Sequence, residues 1–348
     1  MTNQHHPARP DVLALDIGGA NLKAADGDGW TATEPFAMWR EPHRLTDAIV
    51  AIVRRRPPPR RLVATMTGEI ADCFPSRAAG VRHIVASAAA AATACGCGDP
   101  AIYLVDGSLV TPAEAVARPL AAAASNWHAV ARLAAATATC DRAFLVDIGS
   151  TTTDVVPLVA GRPAALAGDD AGRMLSGELV YTGVERTPLP AIVRWLPHGT
   201  VRRPVAAERF ADSRDAWLLL GGLVESSQAS DTADGGPLTR EASRIRMARS
   251  MLVEPADLSE EEAIQAAAWC GRRQAQLVAG ALGRVARGCG WRPGQVVISG
   301  HGERLARMAV DRIGWHASLV SLPERLGSEV SRSAPAHALA MIARGLLR

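Results

Sequence analysis

The sequence predicts an α/β protein built from two similar lobes, and three features support this prediction. An apolar run, an aspartate and a tight glycine turn follow one another twice, with the turns at residues 16–23 and 147–154. A third glycine turn, at residues 300–303, follows another apolar run. Short apolar runs alternate with helical patterns, as in α/β proteins. Because ligands of open α/β sheets bind at such strand ends, the repeated turn predicts two lobes with a cleft between them, facing one phosphate-bearing ligand.

The first lobe begins with a predicted β-hairpin and continues through alternating helices and strands. We predict strands at residues 12–15, 22–25, 31–39, 61–66 and 102–105, and helices at residues 45–56, between residues 70 and 88, and from residue 112. The Asp26-Gly27-Asp28-Gly29 run is a turn signal, and the prolines at 57–59 end the first helix. Thr111, Pro112 and Glu114 have the residue types of the N-cap, N1 and N3 positions of a helix.

The second lobe repeats this order. We predict strands at residues 141–147, 153–158, 201–205, 296–299 and 319–320, and helices at residues 259–287, 305–310 and 334–347. Ser259 and Glu262 form a capping-box pattern, Ser333 is a candidate N-cap, and residues 209–236 have no assignable pattern. The predicted organisation is a disordered N-terminus at 1–10, a first lobe at 11–125 joined by the terminal helix 334–348, and a second lobe at 126–333.

Composition excludes several classes of protein. The chain has 348 residues and a net charge of +3, which is too balanced for a protein whose main partner is nucleic acid. Its six cysteines form no C-x-x-C pair, so we expect reduced thiols and no zinc site. The N-terminus lacks the apolar core of a signal peptide, and residues 84–97 are too short to span a membrane. We therefore expect a soluble cytoplasmic protein without nucleic-acid or membrane partners, and a homodimer is left open.

The glycine turns are the candidate phosphate-binding sites. Glycine and small hydroxyl or amide side chains let backbone N–H groups approach an anion closely. The candidate ligand-binding residues are Gly18, Gly19, Asn21, Gly149, Ser150, Thr151, Thr152, Gly300, Gly302 and Glu303. One such turn alone would be equally typical of a hairpin that needs glycine, but a stable fold does not require aspartate, glycine and hydroxyl groups at both hairpins.

Asp16, Asp147 and Asp154 are the candidate magnesium ligands. A diphosphate carries several negative charges, and a turn or helix N-terminus offsets only about 0.3–1 kcal/mol per exposed interaction. We therefore expect Mg²⁺, held largely through waters, with Asp16 and Asp147 also contributing to catalysis. Lys23 is expected to meet a phosphate oxygen as a point charge, and the alternative is a solvated hairpin lysine.

Further residues are candidates for catalysis or binding. Glu69 follows a predicted strand and could be a general base or a metal ligand; the alternatives are a helix N-cap and a surface acid. Arg186 could clamp a carboxylate or phosphate with two hydrogen bonds, or form a structural ion pair. Trp127, in the segment that joins the predicted lobes, could line the cleft or pack in the core. His301 could act in catalysis or lie beside the ligand.

These motifs resemble those of a known superfamily. The two aspartate turns resemble the phosphate motifs of the acetate and sugar kinase, Hsp70 and actin superfamily, and residues 297–303 resemble its adenosine-side glycine turn. Within it, the chain is similar to the hydantoinase/oxoprolinase family, and to its branch linked to tetrahydromethanopterin-dependent one-carbon transfer, at residues 66–74, 125–127, 183–188 and 232–236. The resemblance implies two ribonuclease-H-like lobes with the ligand between them, and it leaves ATP or ADP open as a cofactor.

The resemblance also implies an activity. Its branch includes an enzyme of methanofuran biosynthesis that joins a furfuryl diphosphate to the phenol of tyramine. We therefore expect a transferase that takes a small-molecule diphosphate and a phenolic amine, forms an ether for a methylofuran-type cofactor and releases pyrophosphate. Two alternatives stay open: an ATP-dependent kinase or ligase that uses the same turns, and a non-catalytic nucleotide-binding assembly factor.

Overall fold

A computed structural model describes residues 10–347, so nearly all of the predicted disordered segment 1–10 lies outside the described residues. The chain divides into two compact units. The first unit comprises the residues up to Leu145, Val156–Arg173 and the residues from Val320 onward, and the second comprises Val146–Val155 and Met174–Leu319. The lobe boundaries predicted above differ from this division and stay a prediction.

Strands and helices alternate along the chain. The strands are β1 (Val12–Ile17), β2 (Asn21–Ala25), β3 (Thr31–Pro35), β4 (Arg61–Met66), β5 (Ala101–Tyr103), β6 (Leu109–Val110), β7 (Arg142–Ile148), β8 (Thr153–Val159), β9 (Arg162–Pro163), β10 (Leu179–Val180), β11 (Trp195–His198), β12 (Val201–Pro204), β13 (Gln295–Gly300) and β14 (Ser318–Ser321). The α-helices are α1 (Leu45–Val53), α2 (Arg77–Ala94), α3 (Pro112–Ala117), α4 (Pro119–Ala122), α5 (Asn126–Thr137), α6 (Asp170–Ser176), α7 (Leu189–Ile192), α8 (Ser213–Leu219), α9 (Arg240–Ser250), α10 (Glu260–Cys289), α11 (Glu303–Ile313), α12 (Leu322–Leu326), α13 (Ser328–Arg332) and α14 (Ala334–Ala343). Short 3₁₀ helices lie at Pro42–Arg44, Gly68–Ile70 and Pro255–Asp257.

The sheet of the first unit has the strand order β3-β2-β1-β4-β5-β6. Strand β1 pairs antiparallel with β2 and parallel with β4, so the carboxyl ends of β1 and β4 meet at one edge. Leu13 and Leu15 of β1 pack in the same core as Ile49 of α1 and Ile84 of α2. The terminal helix α14 packs against β1, β2 and β4 of this sheet.

A second sheet has the order β10-β8-β7-β13-β14, with β9 paired to β8. Strands β8 and β10 run antiparallel. The long helix α10 starts at the predicted capping box, in which Ser259 and Glu262 bond each other's backbone amides, and ends at Gly290, whose φ of 74° places it in the left-handed region. It packs against α8 and α11.

Several predicted elements differ in extent. The first helix ends at Val53, because residues 54–56 form only a turn before the prolines. The third strand ends at Pro35, where proline removes a ladder donor. Ser333 does not cap α14 through its side chain, because its hydroxyl lies instead 3.4 Å from the hydroxyl of Thr33. Residues 201–204 pair with β11 in a separate two-stranded sheet.

Candidate functional site

The turn between β1 and β2 presents free backbone amides. The amide of Gly18 closes the turn by donating to the Asn21 carbonyl at 3.0 Å. The carbonyls of Gly19 and Ala20 accept from the amides of Met38 and Phe36, both at 3.0 Å. Within residues 10–347, the amides of Gly19 and Ala20 donate to no protein acceptor. With its carbonyls bound from behind and two successive N–H groups free, this turn can receive an anion.

Asp16 and Lys23 stand directly opposite each other across β1 and β2. Cross-strand partners project on the same face of a sheet. Asp16 is buried, which raises its pKa, while the Lys23 charge lowers it. Its Oδ1 atom has no hydrogen-bond partner in the described chain. Lys23 is the only lysine among the 38 Lys and Arg residues of the sequence. This single lysine marks the position as unusual, and the sequence motifs above do not include that observation.

Glu69 lies at the same edge of the sheet. Asp16 is in register with Thr65 of the parallel strand β4, and Glu69 follows three residues after the end of that strand. The amide of Thr67 donates to the Ile17 carbonyl at 3.0 Å, and a Cβ built on Gly68 would lie 3.0 Å from the Gly18 carbonyl. The loop that carries Glu69 therefore touches the first glycine turn.

The Glu69 side chain is 1% exposed, and neither of its carboxyl oxygens has a hydrogen-bond partner in residues 10–347. Burial raises the pKa of Glu69 to about 7; nearby backbone groups of Glu69 and Ala124 and the charge of Arg77 lower this pKa, and the charge of Asp170 adds to the rise. Arg77 and Asp170 pair with each other at 2.7 Å. Since Ser76 caps α2, Glu69 is neither a helix N-cap nor a surface acid.

The second glycine turn, between β7 and β8, has the same backbone arrangement. Gly149 donates to the Thr152 carbonyl at 3.0 Å, and the Ser150 carbonyl accepts from Glu185 and Arg186 at 3.0 and 2.9 Å. The amides of Ser150, Thr151 and Thr152 donate to no acceptor in the described part of the chain. This turn, too, can receive an anion.

Three glycines pack tightly around this second turn. A Cβ on Gly183 would lie 2.5 Å from the Ser150 carbonyl, and Cβ atoms on Gly300 and Gly302 would clash with Ile148. Gly300 also has a φ of 79°. Packing against the end of β7 therefore explains both glycines of the third turn.

The remaining predicted residues of the second unit hold several positions around this turn. A Cβ built on Gly300 would lie 2.8 Å from the half-buried Asp147 carboxylate. Asp154 is buried on β8, in register with Leu179. Glu303 pairs with Arg307 on α11 at 2.5 Å. Binding of a nucleotide by this third turn stays a prediction.

No group of three or more His, Cys, Asp or Glu side chains able to hold a metal occurs within residues 10–347. Asp16 belongs to the first unit and Asp147 and Asp154 to the second, so metal binding by the three together stays a prediction. Mg²⁺ needs only one or two carboxylates when water and phosphate oxygens complete its shell. The unpartnered Oδ1 of Asp16 fits such a site.

Sequence reasoning missed an ion-pair network around the buried Arg214, in residues 209–236. Arg214 binds Asp231 with two hydrogen bonds, at 2.7 and 2.9 Å, and also contacts Glu185. Glu185 approaches His301 to 3.0 Å. The network therefore links α8 to the loops behind the second turn. The sequence pattern that could have predicted α8 is the Asp212/Asp215 spacing, which forms a capping box at the start of this helix.

A second arginine is buried in the same region. Arg246, fully buried on α9, pairs with Asp215 at 2.7 Å and with Asp234 at 3.0 Å. Asp234 belongs to the 232–236 segment that resembles the family. Such pairs join residues far apart in sequence, so no local pattern predicts them.

Trp127 packs in the core of the first unit. It is 3% exposed, and the guanidinium of Arg173 lies 4.0 Å from the centre of its ring. It belongs to α5, where the sequence suggested a linker. The neighbouring His128 bonds Tyr103 at 2.7 Å, and burial lowers the pKa of His128 to about 4, so this imidazole is neutral at pH 7.

Comparison with known proteins places the chain in context. The hydantoinase/oxoprolinase family model matches residues 60–345. A protein of Methanocaldococcus jannaschii is 28% identical over 343 residues, covering 95% of this chain and 97% of that protein. It is named (4-{4-[2-(gamma-L-glutamylamino)ethyl]phenoxymethyl}furan-2-yl)methanamine synthase. A Methanococcus vannielii protein of the same name is 30% identical over 206 residues, which cover 59% of this chain and 91% of that protein.

A solved structure shows the fold. The nucleotide-free acetone carboxylase structure superposes with a TM-score of 0.54 at 11% identity, covering 95% of this chain and 70% of that chain. The two sheets, each with a hairpin that carries an aspartate and a glycine turn, confirm the predicted α/β fold class, while membership of the actin-like ATPase superfamily stays a prediction. No helix within residues 10–347 is long and apolar enough to cross a bilayer.

Proposed function

Because the chain belongs to the hydantoinase/oxoprolinase family, we propose that it is a transferase that makes the furfuryl aryl ether of a methanofuran- or methylofuran-type cofactor. The name shared by the two relatives denotes a product in which a phenoxymethyl group links a benzene ring to a furan. The same name gives that ring a γ-glutamylaminoethyl substituent, so a glutamylated tyramine is the acceptor to test first. The proposed role is a step in supplying a carrier for tetrahydromethanopterin-linked one-carbon transfer.

The observation that carries the proposal is the first glycine turn with its two charged neighbours. Free amides at Gly19 and Ala20 suit phosphate oxygens, and the only lysine of the chain stands beside them. Lysine is a compact point charge, which suits a diphosphate whose negative charge increases as it leaves. A chain that otherwise uses arginine for its cationic side chains has lysine at this position.

A divalent cation fits the same place. Asp16 offers a buried carboxylate oxygen without a protein partner, and Mg²⁺ favours such an oxygen together with water and phosphate oxygens. When bound, Mg²⁺ would neutralise charge on the departing diphosphate. Asp147 and Asp154 stay predicted as further carboxylates for metal binding.

The proposed reaction breaks the bond between the furfuryl methylene carbon and the diphosphate oxygen. The electron pair leaves with the diphosphate, whose charge Lys23 and the turn amides stabilise. The phenol oxygen forms the new bond to the methylene carbon and loses its proton. Asp16 and Lys23 are thus assigned to the leaving group, and the phenol needs a different residue to take its proton.

The test uses the full chain with Mg²⁺, an aminomethylfurfuryl diphosphate and γ-glutamyltyramine, without ATP. We expect pyrophosphate release in step with ether formation, measured by enzyme-coupled assay and mass spectrometry. Tyramine and tyrosine, tested in parallel, define the acceptor. Absence of both pyrophosphate and ether would overturn the proposal.

A second candidate function rests on the second turn. Its free amides at Ser150, Thr151 and Thr152 repeat those of the first, as in an enzyme that binds a nucleotide through two phosphate turns. An ATP-dependent kinase or ligase would consume ATP in the same assay and require it for product formation. Ether formation at full rate without ATP excludes this candidate.

A further inference from the structure

We propose that Glu69 is the proton acceptor for the phenol hydroxyl, so that the two buried carboxylates of this sheet edge serve opposite sides of the reaction. The inference rests on the proposed function and assigns one further residue to it. Asp16 is paired across the strands with Lys23 and precedes the turn that carries the free amides, so we place it with the leaving diphosphate. Glu69 lies beyond the next strand end, on the loop that touches the same turn.

Two structural roles that Glu69 could have are filled by other residues: the N-cap of α2 and the ion pair with Arg77. Ser76 caps α2 by accepting from the Ala79 amide. Arg77, the nearest cation that acts on Glu69, has its own partner in Asp170 at 2.7 Å. Neither Glu69 oxygen has a hydrogen-bond partner of normal geometry within residues 10–347, although backbone groups of Glu69 and Ala124 lie near enough to lower the pKa of Glu69. Buried polar groups without partners are rare, and they concentrate at functional sites.

The position of Glu69 is tightly fixed. A Cβ on Gly80 of α2 would clash with the Glu69 carbonyl oxygen, so the helix and this residue are in closest backbone contact. The amide of Ala71 closes the 3₁₀ turn on Gly68 at 3.2 Å. Ile70, Asp72 and Cys73, which follow, are exposed, so Glu69 lies one residue from the surface, and its enclosed carboxyl oxygens would reach an acceptor through one water.

The charges around Glu69 suit a base that works near neutral pH. The charged groups that act on it are Arg77 from α2 and Asp170 from α6, and they offset one another. Burial is the largest influence on this carboxyl, and it raises the pKa of Glu69 to about 7. The ionised form takes the phenol proton as the phenol oxygen bonds to the methylene carbon and the diphosphate departs. The proton stays on the carboxyl until solvent removes it.

The test compares Glu69→Gln with Asp72→Asn, a matched removal of charge from an exposed acid on the same loop. Single-turnover ether formation at saturating furfuryl diphosphate is expected to fall by about 100-fold or more in Glu69→Gln and to stay near wild type in Asp72→Asn. Pyrophosphate binding, measured by calorimetry, stays unchanged in both variants. The wild-type rate falls as pH drops below about 7, and Glu69→Gln loses this dependence.

A series of phenols of decreasing pKa separates chemistry from structure. More acidic phenols need less help from a base, so they should narrow the gap between Glu69→Gln and wild type. A constant gap, an unchanged pH profile or a rate within a few-fold of wild type would refute the assignment of Glu69. If wild type itself forms no ether, the proposed function fails instead, so the two failures are distinguishable.

Discussion

The two glycine turns share a backbone design but differ in what surrounds them. Each has its carbonyls hydrogen-bonded by a neighbouring loop and leaves successive amides free. The first is flanked by Asp16, Lys23 and Glu69, two of which are buried acids with unpartnered oxygens. The second is enclosed by tightly packed glycines and an ion-pair network around Arg214. The difference teaches that both turns have an arrangement that can receive an anion, while buried acids with unpartnered oxygens among the described residues lie beside the first.

The sharpest test of this contrast replaces the aspartate that precedes each glycine turn by asparagine. Asp16→Asn should lower single-turnover ether formation by about 1,000-fold, because it removes the carboxylate that would hold Mg²⁺ at the leaving diphosphate. Asp147→Asn, at the corresponding position of the second turn, should have a much smaller effect. Equal losses in rapid-quench assays would mean that both turns take part equally in the chemistry.

The cost of burying Glu69 should be visible in stability. Its raised pKa means that the folded state holds a proton between pH 4.5 and about 7 that the unfolded chain releases, so folding loses stability as pH rises through this window. Glu69→Gln should therefore be more stable than wild type by about 3 kcal/mol at pH 8, with little difference at pH 4.5. Urea denaturation at several pH values measures this, and a difference independent of pH would contradict the burial argument.

Replacing the lysine tests the electrostatic half of the comparison. Lys23→Met should reduce the rate of pyrophosphate release by about 100-fold, since it removes a charge from the developing diphosphate. Lys23→Arg should recover part of this loss, because it restores charge without the compact geometry. Arg186→Met, beside the second turn, is the control and should change the rate far less. A larger loss in the control would reverse the assignment.

The smallest expected effect concerns packing. Gly183→Ala should destabilise the fold by about 1–3 kcal/mol, because its Cβ would press on the Ser150 carbonyl. Gly19→Ala should be nearly neutral, because its Cβ would meet nothing within 4 Å. Thermal melts compare the two. A neutral Gly183→Ala would show that the second turn is less rigid than its packing implies.

Local chemistry accounts for what the sequence predicted well. The Thr111/Glu114 and Ser259/Glu262 capping boxes form as their spacing indicates, because each is satisfied within a single turn of helix. The hairpin that pairs Asp16 with Lys23 also follows from its glycine turn. These features depend on residues close in sequence, so a reader of the sequence sees both partners at once.

Tertiary contacts account for what was missed. Helix α8 buries Arg214 and Asp215, which lie in the span without an assignable pattern, because their partners lie on other segments. The segment that contains Trp127 looked like a junction between lobes; it begins helix α5, and the hydroxyl of Ser125, just before that helix, pairs with that of Thr65, 60 residues earlier, a contact that no local pattern shows. The burial of Glu69 depends likewise on the close approach of Gly80.

The solitary lysine gives the chain an unusual chemical handle. An amine-selective acylating reagent has one side-chain target in the entire 348-residue protein, and that target stands beside the first turn. Apart from the α-amino group, Lys23 is the only amine that such a reagent can label, so a fluorophore or an affinity tag can be attached at this side chain without any engineering of the sequence. Protection of Lys23 from acylation by inorganic pyrophosphate would then report directly on ligand occupancy at the first turn.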